Sequence, residues 1–459
     1  MSTRDVTESV GPDIDPALRR VAWAVIAGLA APILDTTIVT IALARLGTDL
    51  HAPVSTVQWV STGYLLALAV AVPISGWASA RYGDRSAWVT GLSVFLIGSI
   101  LCACAWDAPS LIAFRILQGL GAGLLFPLMT AILVAVGNGA PLGKVVAMVS
   151  MPVALGPILG PVLGGLVLTW LDWRWLFLIN VPVCIVALVL AQRVPQRRDP
   201  ARAHLDLVGL VLLAPGLAAL LYGLSNAHNG IGRTDVLVPG LIGIGLMAAF
   251  VARGIVAQGP TLVDVRVLVQ RRVASASVAL FFFGVASYAA MFVLPLFFQE
   301  VRGASVLAAA LLLIPQGIGA LATRSVAGRL TDTIGPRWVA VAGFVVVAAG
   351  TVPFALAGAA TNEVWLMAAL VVRGLGLGAL IAPILASPFI GLDNAHRHDV
   401  SMITRIMQQL GGSFGTAVLA VVITAGATMT SGFHAALWWA VALAVVGAAV
   451  STLLPAQST

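Results

Sequence analysis

Hydrophobic residues in this chain run in stretches of about twenty, broken by short polar turns, without the alternation of half-buried elements. Each stretch is long enough to cross the hydrocarbon core of a bilayer, about 30 Å, as an α-helix rising about 1.5 Å per residue. Counted on that basis the sequence predicts fourteen spans, at 20–46, 56–79, 86–106, 109–136, 143–170, 174–193, 205–226, 234–253, 273–298, 303–325, 336–358, 362–388, 401–427 and 433–455. An even number of crossings returns the chain to its starting side. The pattern predicts an all-α integral membrane protein, and composition agrees. With 60% hydrophobic residues, 9% charged residues and a mean hydropathy of +1.02, little polar material remains to clothe a water-soluble globule.

The formal charge of +7, carried by 24 arginines and the single Lys144, matters through its distribution. Alternate loops hold Arg81 and Arg85, then Lys144, then Arg193, Arg197, Arg198 and Arg202. The series continues with Arg266, Arg271 and Arg272, then Arg329 and Arg337, then Arg397. The opposite loops hold only Arg45, Arg174, Arg233 and Arg302, beside Asp49, Asp172, Asp235 and Glu300. This asymmetry places both termini in the cytoplasm and argues against a nucleic-acid-binding patch. Residues 1–19 read as a cytoplasmic tail, because the apolar run that follows Arg19 and Arg20 is too long for a cleaved signal peptide. Cys102, Cys104 and Cys184 lack metal spacing and read as small core residues. His396, Arg397, His398 and Asp399 read as a solvated loop rather than a metal site. No phosphate-binding loop of the G-x4-G-K-[ST] form and no G-x-S-x-G elbow occurs, so ATP hydrolysis and serine hydrolysis are excluded. The chain is not expected to be an enzyme.

An internal repeat organises the spans. The run from Gly76 through Arg81 and Gly83 to Arg85 is echoed by Gly328, Asp332, Gly335 and Arg337, and Arg115 to Gly121 is echoed around Arg373 to Gly376. Aligned, these predict two six-helix bundles, 20–193 and 273–455. Two inserted helices at 205–253 are joined to them by cytoplasmic linkers 194–204 and 254–272. Parallel repeats around a central cavity are what a rocking-bundle transporter requires.

Charges inside spans carry the chemistry, since each costs about 2.5–3.5 kcal/mol on insertion scales. Three stand out: Asp35 in the first span, Arg115 in the fourth and Arg373 in the twelfth. At helical rise, Asp35 lies roughly 22 Å from the cytoplasmic start of its span and Arg115 roughly 9 Å from the outer start of its own. Both fall at a similar depth in the outer half, which leaves them free to pair. Burial favours the neutral acid and a nearby guanidinium favours the carboxylate, so proton occupancy would follow whether the arginine is engaged. Asp35 is the expected proton carrier and Arg115 its modulator; the alternative is a static salt bridge between helices.

Other groups are open to two readings. Trp173 and Trp175 read as interface anchors. Phe281, Tyr288 and Phe292 share one helix face, either packed or lining a cavity with Thr36, Gln118, Arg373 and Gln409. Asn180, Gln316, Gln408 and Gln409 need partners, either another helix or substrate. In the fifth span Gly156, Pro157, Gly160, Pro161, Gly164 and Gly165 leave one stripe nearly bare and bend the helix, which suits a hinge or seal.

That Gly/Pro run, with Leu34 to Thr37, the Arg115–Gln118–Gly119 motif, Trp173 to Pro182 and Gln409 to Gly415, resembles the fourteen-span drug/proton antiporter family of the major facilitator superfamily. The resemblance implies a major facilitator fold and export of hydrophobic or amphipathic molecules in exchange for protons. It also implies a proton route lined by Asp35 and Arg115, and no cofactor beyond the proton gradient. Small-molecule substrate, protons and the lipid bilayer would be the partners of a monomer in a bacterial inner membrane. An exporter of one endogenous metabolite, or an uncoupled facilitative carrier, are the alternatives. The sequence departs from the family pattern at Ala80, where an aspartate is expected.

Overall fold

The computed structural model describes residues 16–52, 54–136, 160, 162–198, 206–227, 230, 232–257, 261, 263–390, 392 and 396–456. Among these residues every regular element is helical. The first half contains α1 (Pro16–Asp49), α2 (Val54–Tyr82), α3 (Asp84–Ala103), α4 (Ala108–Val136), α5 (162–170) and α6 (Asn180–Ala191), the last led by the turn Trp175–Leu178. Next come α7 (Leu207–Asn226) and α8 (Thr234–Val256). The second half contains α9 (Arg271–Leu296), α10 (Ile314–Ile334), α11 (Pro336–Ala355), α12 (Glu363–Ala386), α13 (Arg397–Ala425) and α14 (Met429–Ser451). A short helix, Val306–Leu312, leads into α10, and Pro315 in the first turn of α10 suits the break between them.

Twelve helices among the described residues are long and apolar enough to cross a membrane. This is two fewer than the fourteen spans expected. The expected span 143–170 lies largely outside the described residues, with Gly156, Pro157 and Pro161. The expected span 174–193 corresponds to the shorter apolar segment Trp175–Ala191. The tenth span also runs on past its expected end at 325 to Ile334, because the polar Gly328 motif remains helical.

In the first half α4 packs along α2 and α3, and α6 packs on α1 and α3. In the second, α12 packs along α10 and α11, while α9 packs on α13 and α14. The repeat is visible in detail. Gly83 and Gly335 each turn the chain with φ of 91° and 86°, a conformation that disfavours a side chain. Arg85 and Arg337 then donate from Nε to the carbonyls of Val194 and Leu454, at 2.8 Å in both cases, tying each turn to the end of its own half. Where the family aspartate would stand, Ala80 is buried; beside it the Ser79 hydroxyl donates to Asp84. Asp332, in the matching turn, is exposed, as is Arg81.

Helices α7 and α8 are clasped by a 2.7 Å ion pair between Arg253 and Asp206, whose carboxylate also caps α7 at the Gly209 N–H. Helix α7 lies against both α2 and α13, and Trp59 stacks on Tyr222 at 5.1 Å. Helix α7 therefore touches both halves.

Small residues govern the seam beside Asp35. Gly160 faces Thr37 and Gly164 faces Ile38, so the glycine stripe meets α1 within a turn of the acid. Gly165 meets Leu307 from the second half. Two sequence expectations are corrected. Trp173 is 1% exposed rather than an interface anchor, because its indole packs against Phe177 and under the Arg174 guanidinium, whereas Trp175 is 50% exposed. Cys104 is exposed where α3 ends, while Cys102 and Cys184 are buried.

Replacing Gly160 with Ala drives a methyl into Thr37, so thermal unfolding in detergent should show a loss of about 1–3 kcal/mol. Gly245→Ala, on an open face of α8, should lose nothing. Equal melting of the two variants would disprove the close α1 contact.

Candidate functional site

Asp35 sits midway along α1 with no solvent exposure, and Arg115 of α4 is 1% exposed. A lone charge at such a place would cost several kcal/mol, so each must be compensated in full. The Arg115 Nη1 donates to Asp35 Oδ2 at 2.5 Å. The other oxygen, Oδ1, accepts from Gln118 Nε2 at 3.2 Å and from Asn180 Nδ2 at 3.0 Å. Arg115 also donates to Gln118 Oε1 at 2.7 Å and, through Nε, to the Val60 carbonyl at 3.1 Å. Helical spacing explains part of this, since Arg115 and Gln118 lie one turn apart on α4 and present their polar ends together.

Ser99 of α3 closes the network. It accepts from Gln118 and Asn180 at 3.1 and 3.0 Å and donates to the Phe177 carbonyl at 3.0 Å. The Arg115 guanidinium lies 4.0 Å from the Tyr64 ring centroid and 5.7 Å from that of Phe177, so aromatic faces complete its surroundings. The Tyr64 hydroxyl has no hydrogen-bond partner among the described residues. Side chains from α1, α3, α4 and α6 thus converge on one carboxylate.

The second half has no equivalent pair among the described residues. Gly119 and Gly374 press on the carbonyls of Tyr64 and Gln316, while Gly98 and Gly350 press on the backbones of Gln118 and Arg373. These contacts set Arg373 at the position of Gln118, not that of Arg115. Its donors meet neutral acceptors: Thr351 at 3.2 Å, Gln316 at 2.6 Å and the Ala286 carbonyl at 2.6 Å.

The other residues named from sequence are dispersed. Thr36 is half-buried and bonds the Ile33 carbonyl at 2.7 Å. Phe281 packs on Phe414 at 5.6 Å, Tyr288 lies against Gly412, and Phe292 is exposed. Gln409 lines a cleft bounded by α2, α7 and α13.

Two further arginines lie inside spans, correcting the expectation that Arg115 and Arg373 were the intramembrane cations. They are Arg324 on α10 and Arg405 on α13. Both stand a few turns from a helix end, where sequence reads a basic residue as part of the interface. Arg405 joins Gln409 in the cleft. Ser99 and Tyr64 were also missed, because one serine or tyrosine in an apolar span carries no signal of its own.

Residues 25–416 match the sequence profile of the Major Facilitator Superfamily. The chain is 36% identical over 419 residues to a Multidrug resistance protein B homolog of Mycobacterium tuberculosis, covering 90% of this chain and 78% of that protein. It is 28% identical over 398 residues to the Lincomycin resistance protein LmrB of Bacillus subtilis, covering 85% and 82%. Its fold is similar to the xylose transporter XylE of E. coli in a partially occluded inward-open conformation, with a TM-score of 0.65 and 16% identity over 94% and 96% of the two chains.

Arg115→Gln leaves a buried carboxylate without its cation and should cost about 3–5 kcal/mol of stability in detergent. Adding Asp35→Asn should restore most of that loss. A double-mutant cycle with no coupling between the two positions would contradict the geometry.

Proposed function

This chain belongs to the Major Facilitator Superfamily, and we propose that it exports hydrophobic or amphipathic small molecules in exchange for protons. It is a multi-pass membrane transporter, not an enzyme. The observation that carries the exchange reading is the sealed carboxylate of Asp35, held by Arg115, Gln118 and Asn180. The multidrug and lincomycin resistance proteins among its relatives support drug-like cargo.

The geometry links proton occupancy to helix packing. Arg115 keeps its own proton, so Asp35 is the group able to change charge. A state in which Arg115 withdraws favours the neutral acid, and by reciprocity protonation favours that state. Because Asp35 has no exposure in this arrangement, a proton reaches it only when α1 moves relative to α3, α4 and α6. The glycine contacts at Thr37 and Ile38 supply a smooth seam for that movement. Alternating access about this seam would expose Asp35 and the cleft to one side at a time, driven by the proton gradient with no other cofactor.

On this reading the plan is fourteen spans in a bacterial inner membrane, with both termini cytoplasmic and the chain acting as a monomer. Support comes from the apolar segment Trp175–Ala191, the helical residues 162–170 and the arginine-rich alternate loops. An uncoupled carrier is the second reading, and Ala80 favours it in so far as that half lacks the family's acid in its turn. Against it stands the cost of an intramembrane carboxylate that does nothing.

In proteoliposomes with an imposed pH gradient, Asp35→Asn should lose gradient-driven efflux while still binding substrate, and Asp35→Glu should keep part of it. Undiminished gradient-driven efflux by Asp35→Asn would overturn the exchange reading.

A further inference from the structure

A narrow cleft lies between α2, α7 and α13. Leu68 and Val72 of α2, Leu217 and Leu221 of α7, and Leu410 of α13 form apolar walls. The polar groups among its lining residues are Arg405 and Gln409. Two of the lining residues come from α7, so that helix helps to make the cleft.

Arg405 is poorly compensated there. A guanidinium carries five N–H donors and does not give up its proton. Among the described residues Arg405 bonds only Gln408 Oε1, at 3.2 Å, and its Nε is buried with no acceptor. Its charge rests 4.5 Å from the Phe126 ring, and no carboxylate pairs with it among the described residues. By contrast, Arg115 meets a carboxylate and Arg373 has three acceptors. Unmet donors of a fixed cation beside apolar walls are costly, and a hydrophobic anion relieves both costs at once. A cationic ligand of the same shape meets like charge.

We propose that this cleft binds amphipathic anions, a carboxylate, sulfonate or phosphate on a hydrophobic body, with Arg405 as the counter-ion and Gln409 as a second polar contact. The assignment gives a substrate class to the exporter proposed above and, as a statement about transport, rests on that reading. The same chemistry is offered by a soluble hydrophobic acid and by an anionic lipid headgroup.

The test uses the full chain in phosphatidylcholine nanodiscs, titrated with the fluorescent anion 1-anilinonaphthalene-8-sulfonate and, separately, with the lipophilic cation tetraphenylphosphonium. Arg405→Gln should weaken binding of the anion by about tenfold or more, Arg405→Lys should keep most of it, and neither should weaken cation binding. Phosphatidylglycerol added to the nanodisc should displace the anion from the unaltered chain if a lipid headgroup is the natural occupant, and should leave it bound if the occupant is a soluble acid. Anion binding unchanged in Arg405→Gln, or anion and cation binding lost together, would overturn the proposal. If Arg405→Gln does not fold, Leu410→Trp decides, because filling the cleft must weaken anion binding and unaltered binding would refute the site. These measurements use no pH gradient. A chain that binds the anion through Arg405 but shows no gradient-driven efflux would defeat the exchanger and spare the site, whereas working exchange with no Arg405 dependence would do the reverse.

Discussion

Charge neutrality at Asp35 is the constraint around which the first half is built. A carboxylate with no exposure is tolerable only where a cation and further donors meet both its oxygens. Arg115, Gln118 and Asn180 do this from α4 and α6, while Ser99 of α3 holds the two amides in place. Satisfying one acid therefore specifies how α1, α3, α4 and α6 stand to one another. Such a network resists partial rearrangement, since loss of one partner leaves a buried polar group unmet. It suits a protein that moves between discrete states.

Close backbone approach is the second organising feature. Glycines on α4 and α12 admit the carbonyls of α2 and α10 at matching places, which is how the two halves keep one plan despite different side chains. Within that plan the halves diverge in charge. The first half pairs a cation with an acid, whereas at the related place the second meets Arg373 with neutral acceptors. At this place, among the described residues, a group able to change its charge is thus found in one half of the repeat, and proton coupling, as proposed, would be asymmetric. The last turns of α2 and α10 share the same asymmetry, with a buried Ala80 in one and an exposed Asp332 in the other.

Helix α7 adds a contact between the halves. By lying against α2 and α13, α7 spans the junction of the halves and walls the cleft that holds Arg405. Movement of one half against the other would alter this cleft. Ligand occupancy there and the state of Asp35 are therefore open to coupling through α2, which carries Tyr64 over Arg115 and, one turn on, Leu68 in the cleft wall.

The sequence by itself determined the helical membrane architecture, the repeat, and the similar depth that lets Asp35 meet Arg115. The bilayer makes long apolar runs and rare intramembrane charges conspicuous, and helical rise converts position into depth. Tertiary structure decided what periodicity cannot reach. Asn180 meets Asp35 across most of a half, Trp173 turns inward rather than to the interface, and Phe281 packs on Phe414. Arg405 shows the reason most plainly. A basic residue two turns inside a helix end looks the same in sequence whether it reaches out to headgroups or points between bundles. Its surroundings are set by neighbours from α2, α4 and α7, contributed by distant parts of the chain.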